Sequence, residues 1–313
     1  MKIAIVGATG LVGREIIRIC EELLPHEATY TLFASSNSAG TKLKVNEKVC
    51  EVKELKEENI ETYDISLFSA GGERSKKFAK SFLNKGSYVV DNSSAFRMEE
   101  EVPLVVYGIN EDKISKETKL ISNPNCTTMG LVMVLKPLHE KYKLEKIVPT
   151  AYQAVSGSGR AAVESLKNEE KLGEELKPNY RDGFYTRPIS RNVIPLAGNL
   201  TENGYSDEEM KFVNESRKIL DIKSLIVEPS NARVGVETGH GVYCSATFQK
   251  EVDVKEAIDV LNSFNGVQYW EETLPTPLDA EGSNDVLVGR MRKGLSSNKI
   301  LNFWSVSDNL LKG

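Results

Sequence analysis

No stretch of this 313-residue chain is apolar for anything near the ~20 residues needed to cross a bilayer. The apolar run that opens it, inside Met1–Gly7, is also too short for a secretion signal. Histidine is scarce at 3 residues, and the 4 cysteines (Cys20, Cys50, Cys126, Cys244) are far apart with no CxxC spacing. That pattern supplies no metal-ligand set and points to a reducing, cytoplasmic setting in which Cys126 stays a thiol. Neither sign of charge dominates: 40 basic residues against 45 acidic ones give −5. This balance argues against a nucleic-acid binder dominated by phosphate contacts and leaves room for a local pocket for a small anion. Neither nucleic acid nor membrane is an expected partner.

Apolar residues make up 40% of the chain, enough for a large core, and its length suits two domains. Lys2–Val6 reads as a buried strand. Gly7-Ala8-Thr9-Gly10-Leu11-Val12-Gly13 follows, and a helix is expected from Leu11 to about Leu24. Strand, glycine turn and helix are the context in which a GxxGxxG spacing carries a dinucleotide pyrophosphate. Gly7 permits the turn, Gly10 lets backbone approach the phosphates, and Gly13 lets helix and strand pack closely. After a second strand at Thr29–Ala34 comes Ser35-Ser36-Asn37-Ser38, with no carboxylate to repel a 2′-phosphate. Ser36 and Ser38 offer hydroxyls and Lys42 is near, which favours NADP over NAD. Strands at Asp64–Ser69 and Tyr88–Asp91 flank a helix at Arg74–Asn84. This alternation predicts a parallel, doubly wound Rossmann-like α/β sheet. Gly71, Ser94 and Arg97 fall in loops beyond strand ends, where such sheets bind ligands.

Cys126 lies in Ser122-Asn123-Pro124-Asn125-Cys126-Thr127-Thr128, between a short strand at Lys119–Ile121 and the apolar run Met129–Leu135. A cysteine at the start of a helix lies near backbone N–H groups and the positive end of the helix dipole, and both favour the nucleophilic thiolate. Beyond it the texture changes. Expected elements are a strand at Lys146–Val155, a glycine-rich turn at Ser156–Arg160 and helices at Arg160–Leu172 and Asp207–Leu220, the latter capped by Ser206. Strands are expected at Ser224–Val236 and Gly241–Gln249. Irregular order of strand and helix predicts an α+β domain. Residues 173–205 read as a less patterned insertion. The expected division is a dinucleotide-binding domain over 1–127, completed by about 300–313, and a catalytic and dimerisation domain over 128–299.

Four segments together resemble the aspartate-β-semialdehyde dehydrogenase family: Gly7–Gly13, Ser122–Thr128, Tyr152–Gly159 and Arg233–His240. The resemblance spans nearly the whole chain. It implies reversible, NADP-dependent interconversion of aspartyl phosphate and aspartate semialdehyde through a cysteine thioester, a step toward lysine, methionine and threonine. It also implies a homodimer or a dimer of dimers. Matched by motif, Cys126 resembles the nucleophile, Gln153 the residue orienting the intermediate, and His240 the acid/base. Arg233 resembles the grip on the substrate carboxylate and Glu208 the acceptor of its ammonium. Arg97 and Lys211 match phosphate-binding positions. Ser156, Gly157 and Asn309 join the cofactor-side contacts with Gly7, Thr9, Gly10, Leu11, Val12, Ser35, Ser36, Ser38, Gly71 and Ser94.

The residue chemistry agrees with those roles. A carboxylate, a guanidinium fork and further cations complement a substrate bearing ammonium, carboxylate and phosphate. Glu208 and Lys211, at i and i+3, share a helix face; alone they would read as an exposed salt bridge. The Cys126 N–H and the Asn125 side chain are candidate oxyanion donors. Two departures stand out. Relatives often carry arginine where this chain has Asn37, so some NAD use is expected. Relatives also continue past Leu310-Leu311-Lys312-Gly313 into a last helix, and without it a less stable domain or an open groove is expected. The related reductase classes are N-acetylglutamyl-phosphate reductases, which usually carry Gly-Cys-Tyr at the nucleophile, and malonyl-CoA reductases, whose cysteine motif is closer. A non-catalytic nucleotide-binding protein on the same fold is the alternative of another kind.

Overall fold

The computed structural model describes residues 1–312. It divides into two compact units, Met1–Asn125 and Cys126–Gly313. The first runs β1 (Lys2–Val6), α1 (Leu11–Leu23), β2 (Thr29–Ala34), a hairpin of β3 (Lys42–Val45) and β4 (Lys48–Glu51), β5 (Lys53–Glu54), β6 (Ile65–Phe68), α2 (Gly72–Asn84), β7 (Tyr88–Asp91) and β8 (Leu120–Ser122). Its sheet has the order β5-β2-β1-β6-β7-β8, with every pairing parallel. The strand order reverses between β1 and β6, which creates the crevice where doubly wound sheets take their ligands. One core is an aromatic group: Phe82 meets Phe33 and Phe68 edge to face, with ring centroids 5.8 and 5.1 Å apart. The β3–β4 hairpin follows alternation in Lys42–Val45, whose Leu43 and Val45 are buried.

The second unit begins with α3 (Cys126–Tyr142), then β9 (Leu144–Gln153), α4 (Arg160–Leu172), β10 (Val193–Ile194), α5 (Asp207–Leu220), β11 (Ile226–Val227) and β12 (Ser230–Val234). It ends with β13 (His240–Phe248), α6 (Val254–Asn262), β14 (Val267–Tyr269), α7 (Pro277–Ala280), β15 (Val286–Lys293) and β16 (Ile300–Ser307). These build a mixed sheet ordered β10-β12-β9-β13-β16-β15-β14, with β11 also on β9. Helix α3 is buried nearly all round along its apolar run Met129–Leu135, turns polar at Lys136, His139, Glu140 and Lys141, and packs on β9, β13, β15 and β16. Helix α5 starts at a full capping box in which Ser206 and Glu209 satisfy each other's backbone amides.

Two expectations need correction. Of the stretch from about 300 expected to complete the first domain, Ile300–Ser307 instead form β16 of the second sheet. That strand pairs from end to end with β13 and also with β15, so both of its edges are filled within the second unit. The single strand expected over Ser224–Val236 is broken into β11 and β12 around Glu228-Pro229, where proline has no N–H to give a ladder. The expectation about the chain end reaches Gly313, which lies outside the described residues.

Candidate active site

In the first unit the glycine motif shapes a cavity of about 240 Å³. Its walls include Val6 and Gly7 at the end of β1, Thr9 and Gly10 before α1, Ser35 after β2 and Ser69 after β6. Gly7 holds φ at +94°, and a side chain there would meet the Ser69 carbonyl at 2.1 Å. A side chain at Gly13 would meet the Gly7 carbonyl at the same distance, so α1 is seated directly on the turn. The resulting cradle is backbone and small side chains at a helix N-terminus, which suits a dinucleotide pyrophosphate. Of the other sequence-predicted contacts, Leu11 and Val12 form the first turn of α1, and Ser36 and Ser38 form a short helical turn beside the cavity. Gly71 precedes α2 with φ +84°, and Ser94 approaches Gly72 at the start of that helix. Arg97 is buried; its Nε donates to the Asn123 carbonyl and its Nη2 to the Asn92 carbonyl, both at 2.8 Å. It fastens the loop after β7 to the loop that leads to Asn125.

In the second unit, three adjacent strands bring Arg233, Gln153 and His240 to one end of the sheet. Arg233 of β12 is in register with Gln153 of β9, and Gly241, next to His240, is in register with Tyr152. All three side chains are buried. The Ala154 peptide links them: its N–H donates to His240 Nδ1 at 2.9 Å, and its carbonyl accepts from Arg233 Nη1 at 2.7 Å. A side chain at Gly157 would come within 2.9 Å of His240 Nε2 and 3.2 Å of Arg233 Nη1. The backbone there is close enough that only glycine keeps the imidazole and guanidinium in place.

The polar accounting at this end is incomplete. Gln153 Nε2, Arg233 Nε and His240 Nε2 are buried without a hydrogen-bond partner among the described residues. Arg233 has no carboxylate paired with it there; its guanidinium carbon lies 6.0 Å from the ring centroid of Tyr185, which comes from the insertion. A buried guanidinium without an anion costs several kcal/mol, roughly, so the site is built for a ligand that supplies one. Burial, and secondly the charge of Arg233, push the His240 imidazole down from its ordinary 6.5 to about 3. With Nδ1 accepting from Ala154, the neutral ring carries its proton on Nε2. His240 is thus a neutral hydrogen-bond donor at rest.

Cys126 joins this cluster through its helix. Cys126 and Gly130, at i and i+4, share one face of α3. A side chain at Gly130 would meet Ser307 Oγ at 2.7 Å, and Ser307 is the register partner of His240. Helix α3 is therefore seated on the same strand ends, and Cys126 is its first residue, at the positive end of its dipole. None of the four cysteines is in a disulfide. Asn125, immediately before the helix, is buried.

Asn309 takes a place that its sequence position did not reveal. Its Oδ1 accepts from the Gly239 N–H at 2.8 Å and its Nδ2 donates to Ser156 Oγ at 2.9 Å. It ties together the two loops that carry His240 and Gly157. Gly239 has φ +97° and packs on Pro277, and a side chain at Gly241 would strike Trp304 at 1.9 Å. Glu208 and Lys211 form an ion pair with each other on α5, mostly buried rather than exposed. The same helix is tied to β12 by Glu209, which accepts from the Asn231 N–H at 3.0 Å. Sequence reasoning missed Tyr185 against Arg233 and Leu55 and Arg74 in the nucleotide cavity. None carries a local signal, because each reaches its site only through the tertiary fold. No metal-binding cluster occurs among the described residues, and no helix there is long and apolar enough to cross a membrane.

Both units match known proteins. Residues 2–117 match the family model of the semialdehyde dehydrogenase NAD binding domain, and residues 135–312 match that of the semialdehyde dehydrogenase dimerisation domain. The aspartate-semialdehyde dehydrogenase of Corynebacterium melassecola is 43% identical, over 99% of this chain and 95% of that one. Aspartate semialdehyde dehydrogenase II of Vibrio cholerae superposes with a TM-score of 0.94 at 34% identity, covering 100% of this chain and 94% of that one. The Candida albicans aspartate semialdehyde dehydrogenase, solved with NADP, gives 0.78 at 25% identity, covering 100% and 94%. The chain belongs to the aspartate-semialdehyde dehydrogenase family of NAD(P)-dependent oxidoreductases.

Proposed function

We propose that this chain reversibly converts L-aspartyl 4-phosphate to L-aspartate 4-semialdehyde, releasing phosphate, with Cys126 as nucleophile and NADP as the preferred cofactor. The observation that carries the reading is the set of three buried donors, on Gln153, Arg233 and His240, that await a polar ligand at the strand ends beside the Cys126 helix. Family membership supplies the reaction class.

In the aldehyde-oxidising direction the Cys126 thiolate adds to the carbonyl carbon, and the new C–S bond leaves an alkoxide on the oxygen. The proposed donors to that oxygen are His240 Nε2–H, the Cys126 N–H and the Asn125 side chain. When bound, the nicotinamide nucleotide supplies the hydride chemistry that interconverts this hemithioacetal and a Cys126 thioester. Phosphate, held by Arg97 and Lys211, then attacks the thioester carbon; the C–S bond breaks, and the thiolate returns as the acyl phosphate leaves. Arg233 grips the substrate carboxylate, Gln153 orients the acyl group, and Glu208 exchanges Lys211 for the substrate ammonium. The two additions, of thiolate to the aldehyde and of phosphate to the thioester, each leave an alkoxide that donated hydrogen bonds hold. His240 is therefore better suited to holding the oxygen than to removing a proton, because its Nδ1 is already occupied by Ala154.

The cofactor contacts proposed are the glycine cradle (Gly7, Thr9, Gly10, Leu11, Val12) with Ser35, Ser36, Ser38, Gly71 and Ser94. Ser156, Gly157 and Asn309 are proposed to shape the nicotinamide side. The second unit is proposed to pair two copies through the sheet face bearing Tyr152, Tyr243 and Trp304. These partly exposed rings pack with centroids 4.9 Å apart for Tyr243–Trp304 and 6.0 Å for Tyr152–Trp304. Sedimentation equilibrium returning twice the chain mass would support the pairing, and a monomer at micromolar concentration would contradict it. A reducing, cytoplasmic setting suits a catalytic thiol.

The activity is tested by following reduced-cofactor absorbance with aspartate semialdehyde, phosphate and NADP. A phosphate-dependent rise is expected. No signal there, together with oxidation of NADPH by malonyl-CoA, would replace this reading with a malonyl-CoA reductase.

A further inference from the structure

The nucleotide cavity of the first unit has one charged side chain in its lining, Arg74, and no carboxylate. Arg74 stands in the first turn of α2, which begins at Gly72. A cation there opposes the helix dipole, and the structure offsets it with no ion pair among the described residues. Its one recorded hydrogen bond runs from Nη1 to the Ala70 carbonyl at 3.2 Å, and Ala70 itself lines the cavity. Guanidinium has five N–H donors, so the bond fixes the group over the cavity and leaves donors for an anion.

The opposite wall explains why an anion belongs there. The end of β2, where a carboxylate would bond the ribose 2′-hydroxyl in an NAD site, carries Ser35. Ser36 and Asn37 after it are exposed and neither lines the cavity. The β2 loop thus contributes a hydroxyl but no cation, and the cavity's only cation comes from α2. Leu55 supplies an apolar wall in the same lining, suited to an adenine face.

We propose that Arg74 receives the 2′-phosphate of NADP and sets the cofactor preference of this chain, a role that rests on the dinucleotide reading of the same cavity. The guanidinium reaches the phosphate from the α2 side and does the work that a cation at position 37 would do from the β2 side. Because the group is exposed, the interaction weakens with added salt.

Calorimetric titration of the full chain with 2′,5′-ADP and with 5′-AMP tests this, since the two probes differ only in the phosphate at issue. The wild type should favour 2′,5′-ADP. Arg74→Ala should lower that preference about tenfold or more, by weakening 2′,5′-ADP alone, and Arg74→Lys should keep part of it. Equal weakening of both probes would mean that Arg74 stacks on adenine or shapes the fold, and would overturn the proposal. So would an unchanged preference in Arg74→Ala, or a loss that follows Lys42→Ala instead. A wild type that binds 5′-AMP without preferring 2′,5′-ADP sinks the Arg74 role and leaves the dinucleotide site standing. A wild type that binds neither probe sinks both.

Discussion

The two units solve opposite problems with the same kinds of atoms. The first builds its site from backbone: a glycine turn, a helix N-terminus and hydroxyls, with the buried Arg97 giving its Nε and Nη2 to main-chain carbonyls. The second builds its site from buried side chains and leaves donors on Gln153, Arg233 and His240 unpartnered. Arg97 and Arg233 make the contrast concrete. Both are buried, at 7% and 4% exposure, yet one is bonded as a clamp between loops and the other is held by one bond and a tyrosine ring. A satisfied buried cation stabilises its fold, whereas an unsatisfied one is tolerated because a ligand completes it.

The largest test of that contrast is Cys126→Ser. Turnover should fall by at least about 10³-fold, while nucleotide binding by the first unit persists. Retained turnover would remove the second unit's site from the chemistry. Next, Arg233→Leu should cut kcat/KM by about 10²-fold yet lower unfolding stability by no more than about 1 kcal/mol, because it deletes an uncompensated buried charge. Arg97→Leu should do the reverse in stability, losing about 2–3 kcal/mol in urea unfolding as two carbonyls lose their donor. Equal stability losses would erase the distinction between a guanidinium that also clamps two loops and one held open for its ligand.

The last test concerns pH. His240 titrates near 3 when folded against an ordinary 6.5, so between those values the unfolded chain binds more protons than the folded one. Its contribution to stability is whole above pH 6.5 and is lost as pH falls toward 3, at up to about 1.4 kcal/mol per pH unit. His240→Asn should flatten that acid slope, measured by urea unfolding from pH 7 to 4. An unchanged slope would mean that the imidazole is not held neutral by burial.

Much of this was legible in the sequence where the signal is local. The strand–glycine–helix start at Lys2–Leu23, the Ser206 cap and the position of Cys126 at the head of an apolar helix all follow from short-range pattern. What was not legible is long-range. No spacing says that Ile300–Ser307 will lie between β13 and β15, because strand partners are chosen by the whole sheet. The break at Pro229 is marked by the proline itself, which the single expected strand overran. Asn309 bonded to Gly239, Tyr185 over Arg233 and Arg74 in the nucleotide cavity each join residues far apart in the chain or across a turn. Even His240 changes character with its surroundings: a residue suited by its ordinary acidity to proton transfer is held by burial and the Ala154 amide as a neutral donor.

The account comes down to whether acyl groups pass through the sulfur of Cys126. Mass spectrometry of the intact chain, after incubation with aspartate semialdehyde and NADP in the absence of phosphate, reads this directly. A single aspartyl thioester that maps to Cys126 and disappears when phosphate is added is the predicted result. Continued phosphate-dependent turnover by a chain that never carries that adduct, or carries it on another cysteine, would contradict it.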